Sequence, residues 1–202
     1  MRLYFAPLAC SFASRATLYE LGLDADYSQV TLSTKTLADG SDFFAINPKG
    51  QVPALATDDG RVITESPVVL QYLADLRPAA GLAPPRGSAQ RISPEQWLNL
   101  LCSEVHSAAF VPMFHPASTP DAKAFAKIRL QPKFDLLERH LTGRDYLIDS
   151  FSIGDIYLTT MLGWCEPAGI DLGAWPVLAA FRDRIRARPA IARALGDELA
   201  LR

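Results

Sequence analysis

The chain has 202 residues, of which 49% are hydrophobic and 21% charged, with a net charge of −2: room for one large packed domain or two small ones, and no electrostatic footprint for nucleic acid or an anionic membrane. Its three cysteines, Cys10, Cys102 and Cys165, are odd in number, far apart and without a CxxC pair, which argues against a disulfide framework and a structural metal site. No apolar run approaches the roughly 18 residues of a membrane span, and the N-terminus runs straight into a strand rather than a leader, so the expected setting is the cytoplasm.

The first third alternates short strand-like and helix-like pieces. Leu3-Tyr4-Phe5 is a compact apolar run ended by Pro7, and Ser11 is placed to cap a helix that uses Phe12, Ala16 and Leu21 and stops at Gly22. Tyr27 to Leu32 alternates as a strand, which makes the opening a βαβ unit. Asn47 to Leu55 (NPKGQVPAL) is a turn cluster feeding a short strand, and Asp58-Asp59-Gly60 turns the chain into Arg61 to Thr64. Ser66-Pro67 reads as a capping hydroxyl followed by proline at the first helical position, opening a helix to about Leu76.

From Arg77 the composition changes. Pro78, Gly81, Pro84, Pro85 and Gly87 mark a linker, so residues 1–77 form an α/β domain, 78–93 the linker and 94–202 an all-helical domain. Pro94 starts a helix with Trp97, Leu98, Leu101, Val105 and Ala109 at three-to-four spacing, and 122–141 gives a second long one. Ser152-Ile153-Gly154-Asp155 has capping-box spacing and opens a strongly apolar helix, expected at the centre of the helical half. Trp175-Pro176 opens another, ending in a solvated Arg-rich face, Arg182 to Arg188.

Four segments taken together, in order and at the right spacing, resemble the glutathione transferase family over essentially the whole chain, and its bacterial beta class in particular. They are Leu8-Ala9-Cys10-Ser11, Asn47 to Leu55, Thr64-Glu65-Ser66 running into Leu70-Gln71-Tyr72-Leu73, and Ser152 to Ile156. The resemblance implies a thioredoxin-like N-terminal domain, an all-α C-terminal domain and a homodimer, with reduced glutathione as co-substrate, no metal, and a small hydrophobic electrophile as second substrate in detoxification. It implies a cis bond before Pro53 and assigns Cys10, Ser11 and His106 to the sulfur. Lys35, Gln51, Val52, Pro53, Glu65 and Ser66 are assigned to the tripeptide, and Asn99 and Glu104 to the neighbouring subunit's tripeptide. Leu8, Phe110, Phe114 and Trp164 would wall an electrophile pocket between the domains. Cys102 and Cys165 are expected to be buried and inert.

Chemistry supports several of these assignments independently. A cysteine at a strand-to-helix turn meets backbone N–H groups that favour the thiolate. For any thiol, a two-unit fall in pKa raises the thiolate fraction about 24-fold at pH 7, yet forfeits about eightfold in nucleophilicity, so positioning has to supply most of an acceleration. Glu65 and Ser66 at a helix N-terminus suit a carboxylate. Phe5 stands where some classes have a tyrosine, leaving the sulfur to the other three residues, and Gly154 weakens its helix by roughly 1 kcal/mol relative to alanine. Three readings follow: conjugation of glutathione to electrophiles, glutathione-dependent disulfide reduction through Cys10 alone (position 13 is Ala13), or a non-catalytic binding module on the same fold.

Overall fold

The computed structural model describes residues 1–201. Its first half is built on a five-stranded mixed sheet in the order β3-β2-β1-β4-β5. Central β1 (Arg2–Phe5) pairs in parallel with β2 (Asp26–Thr31), Leu3 opposite Tyr27, and α1 (Phe12–Glu20) is the crossover between them. Leu3, Tyr4 and Phe5 are all buried, so β1 is covered on both faces, which is why it reads as a continuous apolar run rather than an alternating one. Helix α1 ends at Gly22, whose φ of 59° lets the Leu23 N–H return to the Leu18 carbonyl at 3.0 Å.

The short β3 (Thr36–Leu37), not anticipated from the sequence, pairs antiparallel with β2. β4 (Ala54–Ala56) pairs antiparallel with β1 and β5 (Val62–Thr64), and the turn between β4 and β5 is made by Asp58-Asp59-Gly60 with Gly60 at φ 84°. Tyr4 lies opposite Ala54, and Ala54 opposite Thr64. The end of β1, the start of β4 and the end of β5 therefore open at one end of the sheet. Helix α2 (Ser66–Leu76) follows directly. Its start corrects the expected cap: Glu65 is the capping position, no side chain caps the helix, and Ser66 and Pro67 are its first two residues.

The helical half begins earlier than Pro94. Helix α3 (Ile92–Leu100) runs on without a break as a π-helical segment, Leu101–Phe110, and then as α4 (Val111–Phe114). The sequence carries the reason. Leu101, Val105, Ala109 and Met113 are all buried, and twelve residues at 3.6 per turn would overshoot three turns by about 120°. The wider i→i+5 turns, seen where the Val111 N–H reaches the His106 carbonyl, take up that drift and keep one face inward. Helix α5 (Pro120–Leu141) is capped by Thr119, whose hydroxyl accepts the Ala122 N–H at 3.2 Å. Helix α6 (Ile153–Leu162) is buried at every position and packs against α3, the π-helical segment and α7 (Pro176–Arg186). Its capping box closes as the spacing predicted: Asp155 accepts the Ser152 N–H and hydroxyl and the Leu147 N–H, each at 2.8 Å. Burial pushes the Asp155 carboxyl up to about 6. Glu138 of α5 accepts the Val177 and Leu178 N–H groups, both at 2.9 Å, tying down the start of α7.

The last helix, α8 (Pro189–Leu199), packs on α1. The compact units are residues 1–83 with 187–202, and residues 84–186, whereas the sequence reading kept everything after residue 93 together. The tie is polar as well as apolar: Arg188 grips Glu20 through two bonds of 2.8 and 3.0 Å, and the Tyr19 hydroxyl donates to Asp197 at 2.7 Å.

Candidate active site

In the first unit, the thiol loop leaves β1 at Ala6 and enters α1 at Phe12. Cys10 is almost wholly buried, and its Sγ donates to the Val52 carbonyl at 3.0 Å. Ser11 occupies the capping position of α1 without capping it. Its hydroxyl instead accepts the Ala6 N–H at 3.1 Å and donates to the Ala6 carbonyl at 3.2 Å, closing the loop on itself. Leu8 sits at φ 58°, a left-handed conformation that costs a non-glycine residue roughly 1–2 kcal/mol.

What holds Leu8 there comes from the far end of the chain. The Leu8 N–H donates to Glu198 Oε2 at 2.6 Å. The other carboxylate oxygen lies 3.1 Å from Arg15 Nε, off the line of a good hydrogen bond, so the two form an ion pair. Glu198 is fully buried, and the Arg15 guanidinium lies over both the Phe5 and the Tyr27 ring, 4.2 and 4.1 Å from their centroids, the two rings standing edge to face. Desolvation outweighs the Arg15 charge and pushes the Glu198 carboxyl up to about 7.

The 47–53 turn lies beside the thiol loop. The Val52–Pro53 peptide is cis. Asn47 is buried and spans the turn, donating from Nδ2 to the Gln51 carbonyl at 2.6 Å and accepting the Lys49 N–H at 3.2 Å. Gly50 has φ 59°, and a Cβ there would lie 2.7 Å from the Phe44 ring, so only glycine fits. The Lys35 ammonium donates to the Gly50 carbonyl at 2.8 Å. Gln51 is exposed and Val52 buried. At the other side, Glu65 takes φ 70° and ψ 121°, and Ser66 behind it is buried. Lys49 pairs with the Glu65 carboxylate and donates to the Thr64 hydroxyl at 2.9 Å.

In the second unit the π-helical segment carries Cys102, Glu104, His106 and Phe110. His106 Nδ1 lies 3.0 Å from the Tyr157 hydroxyl, and the Trp164 ring packs 5.0 Å from the imidazole. Trp164 also meets Phe110 and Phe114 edge-on, at 5.3 and 6.4 Å. Phe110 is fully buried, so it backs Trp164 and the exposed Phe114 rather than presenting a face of its own. Glu104 is already engaged, by Arg129 at 3.2 Å and Lys133 at 3.1 Å, and both cations hold its carboxyl below the usual range. Asn99 is exposed. Cys102 is half-buried, not buried as expected, while burial pushes the Cys165 thiol up to about 12.

Within each unit the structure brings named residues together: Cys10 and Ser11 with the Val52–Pro53 peptide whose Val52 carbonyl takes the thiol, Gln51 on the same turn with Lys35 bonded to it from the loop before β3, and Glu65 and Ser66 at the start of α2. His106, Phe110, Phe114 and Trp164 form one aromatic cluster. Four residues escaped the sequence reading: Asn47, Lys49, Tyr157 and Glu198. Asn47 and Lys49 lay inside a quoted motif, where Asn before Pro is a turn signal, but nothing local marks Tyr157 or Glu198. Among the described residues, no group of three or more His, Cys, Asp and Glu side chains is placed to hold a metal ion, and no helix is long and apolar enough to cross a membrane.

Residues 9–76 match the family model of the glutathione S-transferase N-terminal domain, and residues 101–189 that of the C-terminal domain. The chain is 38% identical over 199 residues to glutathione S-transferase GstA of Escherichia coli O157:H7, covering 98% of each chain. Among solved structures, it is similar to a sphingomonad glutathione S-transferase complexed with glutathione, at 44% identity and a TM-score of 0.94 over 98% of each chain. A bacterial beta class glutathione S-transferase of Sphingomonas chungbukensis superposes with a TM-score of 0.95 at 41% identity, again over 98% of each.

Proposed function

This chain belongs to the glutathione S-transferase family and is a glutathione transferase, and from that premise we propose that it joins reduced glutathione to small apolar electrophiles. The observation that carries the reading is the strand register. With Tyr4 opposite Ala54 and Ala54 opposite Thr64, the Cys10 loop, the Val52–Pro53 peptide and the Glu65–Ser66 helix start all emerge at one end of one sheet. An extended tripeptide laid across that end would meet, in turn, what each of its parts requires.

Val52 pairs backbone to backbone with the cysteinyl part, as an added strand does. Ser66, through its hydroxyl and N–H at the helix N-terminus, takes the γ-glutamyl carboxylate, with Glu65 beside it. Lys35 turns from the Gly50 carbonyl to the glycyl carboxylate, next to Gln51. Cys10, Ser11 and His106 stabilise the glutathione thiolate, which attacks the electrophile as the leaving group departs with the bonding pair. Leu8, Phe114 and Trp164 serve as apolar contacts for that acceptor, with Phe110 packed behind the last two. The working form is a cytoplasmic homodimer engaged in detoxification, in which Asn99 and Glu104 reach the partner's glutathione and Glu104 faces its amine.

Two measurements test this. Calorimetric titration with reduced glutathione is expected to show one site per subunit at millimolar concentration or tighter, and an activated aryl chloride to be consumed only when glutathione is present. Absence of both in folded, reduced protein refutes the reading. A second reading, disulfide reduction through a mixed disulfide on Cys10, is favoured by the position of that thiol just ahead of the capping residue of α1. Cys10→Ala separates the two: it abolishes reduction of a model disulfide but only lowers aryl chloride conjugation, since Ser11 and His106 remain to stabilise the thiolate.

A further inference from the structure

A carboxylate at the capping position of a helix is drawn to the N–H groups that the helix leaves unpaired there. Glu65 holds that position on α2, yet its side chain does not cap the helix. Pro67 has no N–H, and the Val68 and Val69 N–H groups bond to the Glu65 carbonyl at 3.0 and 2.9 Å. That leaves the Ser66 N–H and hydroxyl as the donors at this helix start, one residue along the chain from Glu65.

Lys49 draws the carboxylate away from them. Its ammonium pairs with Glu65 Oε1 and donates to the Thr64 hydroxyl at 2.9 Å. The lysine is anchored at its other end as well: its N–H donates to Asn47 Oδ1 at 3.2 Å, in the turn where only glycine fits at position 50. The place of the cation is therefore set by the Asn47–Pro53 turn and the end of β5, not by Glu65 alone. Both side chains of the pair are about half exposed. An ion pair so open to water contributes little to stability, and its effect lies in where it puts the carboxylate.

We propose that Lys49 is a positioning residue: by holding the Glu65 carboxylate, it keeps that group off the start of α2 and leaves the Ser66 N–H and hydroxyl to the γ-glutamyl carboxylate of glutathione. Two anions cannot share those donors, so a Glu65 side chain folded back on its own helix would compete with the substrate from within the chain. With Oε1 on Lys49, Oε2 is left to accept from the γ-glutamyl amine. The ligand rests on the function proposed above. The placement of Glu65 does not, and this separates the two in the test.

The placement is tested without glutathione, by the pH dependence of the Ser66 amide in proton–nitrogen NMR spectra. In Lys49→Met the Ser66 amide proton should move to lower field as the Glu65 carboxyl ionises, by more than in the wild type. The movement should vanish when Lys49→Met is combined with Glu65→Gln. Equal movement in the wild type and Lys49→Met overturns the proposal. Calorimetry tests the consequence. Lys49→Met should raise the Kd for reduced glutathione about 3–10-fold, as for one competing hydrogen bond, and Lys49→Arg should recover most of the loss. In a Glu65→Gln background, Lys49→Met should change Kd by less than about twofold, because the two residues act as a unit. An unchanged Kd in the single variant overturns the proposal. So does equal weakening in both backgrounds, since Lys49 would then act on the ligand directly. Tm should fall by no more than about 3 °C in Lys49→Met, because a carboxylate that moves onto the helix start offsets the lost pair. A larger fall marks a structural role and overturns the proposal. Wild-type protein that binds no glutathione but shows the expected Ser66 behaviour supports the placement of Glu65 and refutes the proposed function instead.

Discussion

Removing the Glu198 carboxylate should loosen the thiol loop from the opposite end of the chain. Glu198→Ala strips the Arg15 cation of its counter-charge inside the core and leaves the Leu8 N–H without its acceptor. Breaking a buried ion pair by deleting one partner costs about 3–5 kcal/mol. The two aromatic rings against the guanidinium keep part of its stabilisation, about 1 kcal/mol, so about 2–4 kcal/mol is expected. For a chain of this size that is a fall in Tm of about 5–15 °C. Glu198→Gln keeps an acceptor for Leu8 but strands the same charge, so it should lose a little less than Glu198→Ala, about 2–3 kcal/mol. Replacing both partners by apolar residues, Arg15→Met with Glu198→Leu, should cost less than Glu198→Ala alone, because no stranded charge remains.

The pH dependence has a definite sign. The folded carboxyl, near 7, lies above its ordinary value of 4.5, so between these values the folded chain holds a proton that the unfolded chain has released. This contribution to stability is complete below about pH 4.5 and is lost as pH rises through 7. Tm measured from pH 5 to 8 should fall more steeply in the wild type than in Glu198→Gln. An alanine variant within about 0.5 kcal/mol of wild type, or equal slopes in the two proteins, would refute the reasoning.

Asn47→Ala should raise the glutathione Kd about tenfold by calorimetry, because the bond that fixes the Gln51 carbonyl ahead of Val52 is lost. Asp155→Ala should cost about 2–4 kcal/mol in chemical denaturation, since three donors converge on that buried carboxylate. Two glycines should respond in opposite directions in a melting experiment. A Cβ on Gly154 meets Leu147 and Ser152 at an ordinary 3.4 Å, so Gly154→Ala should gain about 0.5–1 kcal/mol. A Cβ on Gly163 would lie 2.5 Å from the Arg186 guanidinium and 3.1 Å from the Thr160 carbonyl, so Gly163→Ala should be destabilising.

Local rules located most elements, because a cap, a turn or a helical repeat is written within a few residues. Gly22 and Gly60 stop α1 and turn the β4–β5 hairpin as their positions announced. Ser152 and Asp155 close their box because three residues of helix bring them together whatever surrounds them. The four-residue spacing of Leu101, Val105, Ala109 and Met113 held the sign of the π-helical segment, although a three-to-four pattern is usually taken for an α-helix. Local rules misled where a side chain had competing partners. Ser11 stands at a helix start as a capping serine does, yet its hydroxyl bonds to Ala6, five residues back, because the loop folds that backbone onto it.

By itself, then, the sequence determined the two-part division of secondary structure, the thiol just ahead of α1, the Asn47–Pro53 turn and the helix opening at Glu65–Ser66. Each of these depends on interactions within one turn or one motif. Only the tertiary structure decided that α8 rejoins the first unit, that Glu198 holds the Leu8 backbone 190 residues away, and that Tyr157 faces His106 across 51 residues of chain. A buried polar group needs a partner, but the partner's identity is set by which element packs beside it, and no local pattern encodes that choice.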